Sequence, residues 1–282
     1  GWRQTELVTL RDGRAAGQCW ILSEGKTAVA SDPAGFAKVL LAESRGACSP
    51  FMPSLNSLAA SHGVVLLIDS ASTCIHAGLW RRDADAVWRQ SQREAGIAIF
   101  ECVGAVLAEA GVGVSDLGAL VFDEGPGSIL GIRTAAMALR TWQTVGSRAL
   151  PAFAYRSLEL VAHDLHSSGT RPPFAVIADA RRDAWHWVEV ATGPAVHPLQ
   201  RVSRSVLAAF AGELFMPAGF RVWAPPPRAV REVPYSLADL WRRQGDAALL
   251  HAAPQPEAFL HEDSVYVAWT PQIHRAPGQP AA

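Results

Sequence analysis

The feature that most constrains this chain is one passage, LVFDEGPGSILGIRTAAMALRTWQTV over residues 120–145. Ala119-Leu120-Val121-Phe122 is a short apolar run of the kind that forms a buried strand. Asp123-Glu124-Gly125-Pro126-Gly127-Ser128 interrupts it, and a long helical pattern rich in Ala, Leu, Met and Arg follows. Gly125 and Gly127 allow backbone angles closed to other residues, Pro126 stiffens the turn between them, and Ser128 is a natural N-cap. A glycine turn opening into a helix aims unpaired backbone N–H groups at one point, where an anion is welcome. The alternative is a plain strand-to-helix turn without a ligand, and local geometry leaves both readings open.

The chain of 282 residues can bury a large core. Hydrophobic content of 49% against 18% charged residues describes a folded protein rather than a disordered one. The opening Gly1-Trp2-Arg3-Gln4 does not read as a signal peptide, and a first residue other than Met suggests a trimmed tag or an incomplete reading frame. With no apolar run as long as a membrane span, the expectation is a cytoplasmic protein without membrane contact. A formal net charge of −1 gives no global case for gripping nucleic acid unaided. Lys26 and Lys38 are the only lysines, so phosphate contacts in the main body fall to Arg, hydroxyls or backbone N–H. Cys19, Cys48, Cys74 and Cys102 are widely spaced, without a CxxC, and suggest neither a disulfide framework nor a zinc site.

Residues 1–62 read as a separate extension. Gln18–Leu22 and Thr27–Ala30 are expected to pair as a hairpin, Ser31-Asp32-Pro33 to open a helix to about Glu43, and 44–62 to be linker. Gly25-Lys26-Thr27 resembles the end of a P-loop, but Trp20 stands where its first glycine is required. From Val64 a buried-strand run ends in Asp69-Ser70-Ala71-Ser72-Thr73, a second strand follows over 74–80, and a third lies near Ala86-Val87-Trp88. Asp69 with Ser70, Ser72 and Thr73 could hold a phosphate or its metal ion, or form an ordinary hairpin turn. Ala95 to Ala110 predicts a helix with Phe100, Val103 and Leu107 in one apolar stripe and Ile99, Cys102 and Val106 in another. Apolar over so much of its circumference, it is either central in its domain or covered by a partner. Further on, strands are expected at 149–153, 174–178, 184–190 and 220–223. Helices are expected at 157–166, 205–215 and 235–244, and the tail from about Pro271 is expected to be loose. His163 and His166 form a pair without further ligands at matching spacing, and no metal site is assigned.

Three motifs in order carry a resemblance: Ile68-Asp69-Ser70-Ala71-Ser72-Thr73, Glu124-Gly125-Pro126-Gly127-Ser128-Ile129-Leu130-Gly131-Ile132-Arg133, and Ala178-Asp179-Ala180-Arg181-Arg182. With them the region from about Val64 to Trp269 resembles the TsaB family, partner subunits in bacterial threonylcarbamoyladenosine (t6A) modification of tRNA. Pro256–Leu260 is similar to that family's closing motif. The resemblance implies an α/β, two-lobed actin-like, Hsp70-like (ribonuclease H-like) fold, with mixed sheets flanked by helices. The lobes would span 63–170 and 171–282. It also implies a non-catalytic role through association with a TsaD-type catalytic subunit, in an assembly that includes a TsaE-type ATPase and meets tRNA only through the complex. Its catalytic relatives carry two metal-binding histidines on the first long helix, whereas 93–109 here contains none. The family's Phe-Thr after GPGS is Ile129-Leu130 here, which removes a hydroxyl from the first helical turn. The residues before the first helix also differ, reading Gln92-Arg93-Glu94-Ala95.

The leading expectation is therefore a binding protein that docks through helices 95–110 and 128–145, with Phe100, Val103, Leu107, Leu130, Thr134, Met137 and Thr141 as candidate contacts. A homodimer through the same helices is expected when the partner is absent. The alternative is an ATP-binding phosphotransferase or ATPase taking ATP or ADP with Mg²⁺. Asp69, Ser70, Ser72 and Thr73 would then lie near the metal and Gly125, Gly127 and Ser128 near phosphate.

Overall fold

The computed structural model describes residues 3–4, 18–21, 27–30, 52–145, 150–192 and 196–260. The chain divides into two units, 1–51 and 52–282. In the first, β1 (Arg3–Gln4), β2 (Gln18–Ile21) and β3 (Thr27–Ala30) form an antiparallel sheet. The expected hairpin is present with Gln18 opposite Ala30 and Ile21 opposite Thr27. The helix expected from Ser31 and the loose tail from Pro271 lie outside the described residues.

The second unit starts upstream of the expected boundary, because part of the expected linker is helical. Helix α1 (Leu55–His62) begins at a capping box in which Ser54 and Ser57 exchange side-chain and backbone hydrogen bonds. Its short apolar face, Leu55, Leu58 and Ala59, is buried, and Asn56 accepts from Trp80 Nε1 at 3.0 Å. An eight-residue helix is marginal alone and is held by this packing.

Two mixed sheets flanked by helices follow, as the resemblance implies. The first lobe is built from β4 (Val64–Asp69), β5 (Ile75–Arg81), β6 (Ala84–Ser91), α2 (Ala95–Ala110), β7 (Leu117–Asp123), α3 (Ile129–Val145), β8 (Ala152–Tyr155) and α4 (Ser157–Ser167). The second consists of β9 (Phe174–Asp179), β10 (Ala184–Val190), β11 (Gln200–Ser203), α5 (Arg204–Ala209), β12 (Glu213–Pro217), β13 (Arg231–Val233) and α6 (Leu237–Gln244). The last strand, β14 (His251–Ala252), returns to the edge of the first sheet beside β8.

Both sheets follow one plan. In β6-β5-β4-β7-β8 an antiparallel meander is followed by two strands parallel to its first member; β11-β10-β9-β12-β13 repeats this. Alternation along the first strand of each sheet sets the layers. Val65 and Leu67 of β4, with Phe174, Val176 and Ala178 of β9, enter a shared core with Leu158 and Trp241 of α4 and α6. Leu66 and Ile68 face the opposite way, onto α2 and α3. Ala175 and Ile177 face a third cluster with Leu207 of α5. Among the described residues of the second unit, helices α2 and α3 thus form an outermost layer with a single sheet behind them.

Two expectations in the second lobe are corrected. Residues 205–215, expected as one helix, are helical only over Arg204–Ala209, and Glu213–Pro217 is a strand. Leu214 and Phe215 find a parallel partner in Ala175 and Val176, and this pairing outweighs the local helical pattern. Residues 220–223, expected as a strand, form a loop. The Trp223 and Ala224 N–H groups donate to the Asp179 carboxylate instead of a strand, and Arg231–Val233 takes the edge of β12. No described helix is long and apolar enough to cross a membrane.

Candidate functional site

The first candidate is the junction where β4, β7 and β8 end. Asp69, last in β4, is fully buried. Its Oδ1 accepts from the Ala71 N–H at 3.0 Å, and its Oδ2 accepts from the Tyr155 hydroxyl at 2.6 Å and from the Tyr235 hydroxyl. Tyr155 comes from β8, whereas Tyr235 precedes α6, so the second lobe covers the carboxylate of the first. Burial, then the Asp69 charge, pushes both phenols well above their ordinary range, so they remain donors. The anionic capacity of Asp69 is thereby spent inside the protein.

The glycine turn is likewise occupied. The Ser128 N–H, first of the donors that would greet an anion, donates to Ala71 O at 2.7 Å. Ser128 Oγ accepts from Gly131 N at 3.4 Å, an N-cap contact. A Cβ at Gly127 would meet the Ala71 backbone, and one at Gly131 the Ser70 carbonyl. The glycines therefore let two turns press together. Ser70 and Ser72 are buried, and Ser72 Oγ bonds the backbone of Cys74. Thr73 is exposed and its N–H donates to Gly219 O at 2.9 Å. Asp69, Ser70, Ser72, Thr73, Gly125, Gly127 and Ser128 do converge, but as a closed joint. Several of the donors and acceptors that a phosphate-and-Mg²⁺ site would use bond one another here, while Ser70 Oγ is buried with no partner among the described residues.

Sequence reasoning missed three partners here: Tyr155, Tyr235 and Asp123. Asp123 Oδ1 accepts from the Gly125 and Ser157 N–H groups at 2.8 and 3.1 Å, while Oδ2 is buried with no partner among the described residues. Burial, with the charge of Asp69 adding, raises its carboxyl well above the usual range. The joint therefore brings two buried carboxyl groups together, and ionising both is costly. In the unfolded chain Asp123 ionises near 3.8. As pH rises from there toward the higher folded value, the unfolded state loses its proton first and stability falls. Asp123→Asn, a neutral isostere, is expected to be spared that fall. In urea denaturation its stability relative to wild type should grow as the pH rises above about 4. Asp123→Ala should cost about 2 kcal/mol or more by orphaning the two N–H groups.

Beside the joint, burial acts on Glu124 in the direction that raises a carboxyl, but His251 and Arg156 outweigh it and hold the group below its ordinary value. Arg156 Nε lies 2.8 Å from Glu124 and its guanidinium 4.2 Å from the Phe259 ring centre, while Phe259 N–H donates to Glu124 O at 2.7 Å. The closing motif thus folds back onto the opening turn.

The second candidate is the outer layer. Of the seven contacts expected there, Val103 and Leu107 are buried in the core with Ile99 and Val106, and are corrected to core residues. The other five face outward or lie half-buried: Phe100 is 53% exposed, Leu130 75% and Met137 57%, with Thr134 half-buried and Thr141 exposed. Ile97 and Ile129 add to the exposed apolar surface. Phe100 on α2 meets Trp142 on α3 edge to face with centroids 6.1 Å apart, which joins the helices into one surface. Thr134 and Thr141 Oγ1 return hydrogen bonds to Leu130 O and Met137 O, so their methyl groups extend it.

Comparison with known proteins gives this surface a context. Residues 89–198 match the family model described as TsaD: tRNA N6-adenosine threonylcarbamoyltransferase. The matched residues run from β6 through both outer helices to just short of β11. No curated protein matches. Among solved structures, YeaZ from Pseudomonas aeruginosa is 20% identical, with 66% of this chain and 98% of that chain covered and a TM-score of 0.49. A second Pseudomonas aeruginosa structure, an uncharacterized protein with similarity to peptidase YeaZ, is 20% identical over 66% of this chain and 97% of that one, at 0.47. The Ppx/GppA family member of Aquifex aeolicus is 10% identical, over 56% and 66%, at 0.31.

Proposed function

We propose that this chain is a non-catalytic binding subunit of the tRNA threonylcarbamoyladenosine machinery, which docks its α2–α3 face onto a TsaD-type catalytic subunit. The observation that carries the reading is the exposed apolar surface of Phe100, Leu130 and Met137 on the outermost helices. Three large side chains standing in water on two helices joined by the Phe100–Trp142 contact are the mark of an interaction surface rather than of scattered exposure. The family match across both helices supports the choice of partner. The closed joint at Asp69 supports the non-catalytic part, since phosphoryl transfer needs free acidic ligands for Mg²⁺ and donors aimed at phosphate.

In this reading the TsaE-type ATPase joins the assembled pair, and tRNA meets the chain only through the complex. Without the partner, the same face buries itself against a second copy of the chain. Light scattering of the purified protein with the TsaD-type subunit of the same organism tests this. A one-to-one complex is expected, with a homodimer when the subunit is omitted. A monomer indifferent to the subunit would refute it.

A further inference from the structure

Most charged groups of the outer layer are settled within the chain. Glu101 of α2 pairs with Arg93, and Glu109 with Arg89. Arg140 of α3 reaches Glu257 of the closing motif at 2.9 Å. The exceptions are Glu94, which immediately precedes α2, and Arg133, within α3. Both are exposed, and neither side chain makes an ion pair or hydrogen bond among the described residues.

The fold itself does not call for an arginine at 133. The residue stands early in α3, whose first turn holds no acidic side chain, and near a helix N-terminus the macrodipole opposes a cation. Its position on the helix is nonetheless telling. Arg133 follows Leu130 by three residues and precedes Met137 by four, so the three share one face. A partner that covers Leu130 and Met137 therefore takes water from the Arg133 guanidinium as well. A guanidinium desolvated without an acceptor is costly.

We infer that Arg133 sets the choice of partner on this face, favouring a protein that places a carboxylate against α3 over a second copy of this chain. The inference rests on the docking reading and adds to it the residue that discriminates. A second copy is poor in suitable groups. Its α3 has no acidic residue, and the two on its α2, Glu101 and Glu109, are held by Arg93 and Arg89. Its Glu94 is free but stands ahead of α2 rather than among the exposed apolar residues. Self-association thus strips Arg133 of water without returning an ion pair. An acidic partner returns a charge-assisted bond in which the planar guanidinium can meet both carboxylate oxygens. Leu130 and Met137 supply adhesion to any apolar face, and Arg133 supplies the difference between partners.

Two measurements on the intact chain test this: surface plasmon resonance with the TsaD-type subunit at low and high salt, and sedimentation equilibrium of the chain alone. Arg133→Gln should weaken the heterocomplex about tenfold or more, with a smaller loss at high salt. The same change should leave self-association as tight as in wild type, or tighter. Arg133→Lys, which keeps the charge without the planar fork, should recover part of the affinity and its salt dependence. The side chain is exposed and Gln is a good helix former, so urea denaturation should match wild type. A heterocomplex unmoved by Arg133→Gln, or self-association weakened in parallel with it, overturns the inference while docking itself stands. Failure of the wild-type chain to form the heterocomplex overturns both.

Discussion

Asp69→Ala is expected to leave the protein at the edge of unfolding. The substitution orphans three buried donors at once: the Ala71 N–H and the hydroxyls of Tyr155 and Tyr235. Each unsatisfied buried group costs about 1–3 kcal/mol, so the loss is about 3–9 kcal/mol. That is comparable to the whole stability of many domains. Asp69→Asn is the discriminating control. Its amide oxygen can still accept from Ala71, and the phenols can turn to accept from the amide nitrogen, so the expected loss is about 1–2 kcal/mol. Urea denaturation of the two variants beside wild type measures both figures. Near-equal, small losses would mean that the joint is wet and that Asp69 is free to meet a ligand.

The second large effect belongs to the outer helices. Leu130→Glu with Met137→Glu should abolish the complex with the TsaD-type subunit, a loss of at least about 100-fold, because apolar anchors at the centre of an interface are each worth about 2 kcal/mol or more. The same pair should leave folding untouched. Both side chains stand mostly in water, and Glu is a good helix former. Val103→Glu makes the opposite pairing. Val103 lies in the core behind α2, so its substitution should unfold the lobe rather than spare it and weaken binding. The contrast separates a surface that binds from a stripe that packs.

Much of the fold could be read from the residues, for identifiable reasons. The limits of α2 follow from its apolar periodicity and from Gly111, which adopts the left-handed conformation that ends the helix. The strand–turn–helix at β7–α3 follows from its apolar run, its glycines and Ser128. The helix at 55–62 was hidden because its signal is a serine capping box and three apolar residues beside prolines, which also describes a linker. The strand at 213–217 was hidden because its pairing partner lies about forty residues upstream, beyond any local pattern.

The site was legible only in part. The motifs brought Asp69 and the glycine turn together correctly, but composition could not tell whether a ligand or another turn fills the space between them. Tyr235 lies 166 residues from Asp69, and no spacing rule connects them. The apolar stripe on α2 likewise named Phe100, Val103 and Leu107 alike. Only the position of the sheet assigns the first to the surface and the others to the core.

The central claim is that this chain acts through its α2–α3 face and not through chemistry at the Asp69–Asp123 joint. The most direct test is the t6A content of tRNA from cells whose only copy of this protein is wild type, the Leu130→Glu, Met137→Glu variant, or Asp123→Asn. The account predicts that Asp123→Asn sustains t6A at the wild-type level while the face variant, present in equal amount, loses it. Loss of t6A with Asp123→Asn together with full modification by the face variant would contradict it.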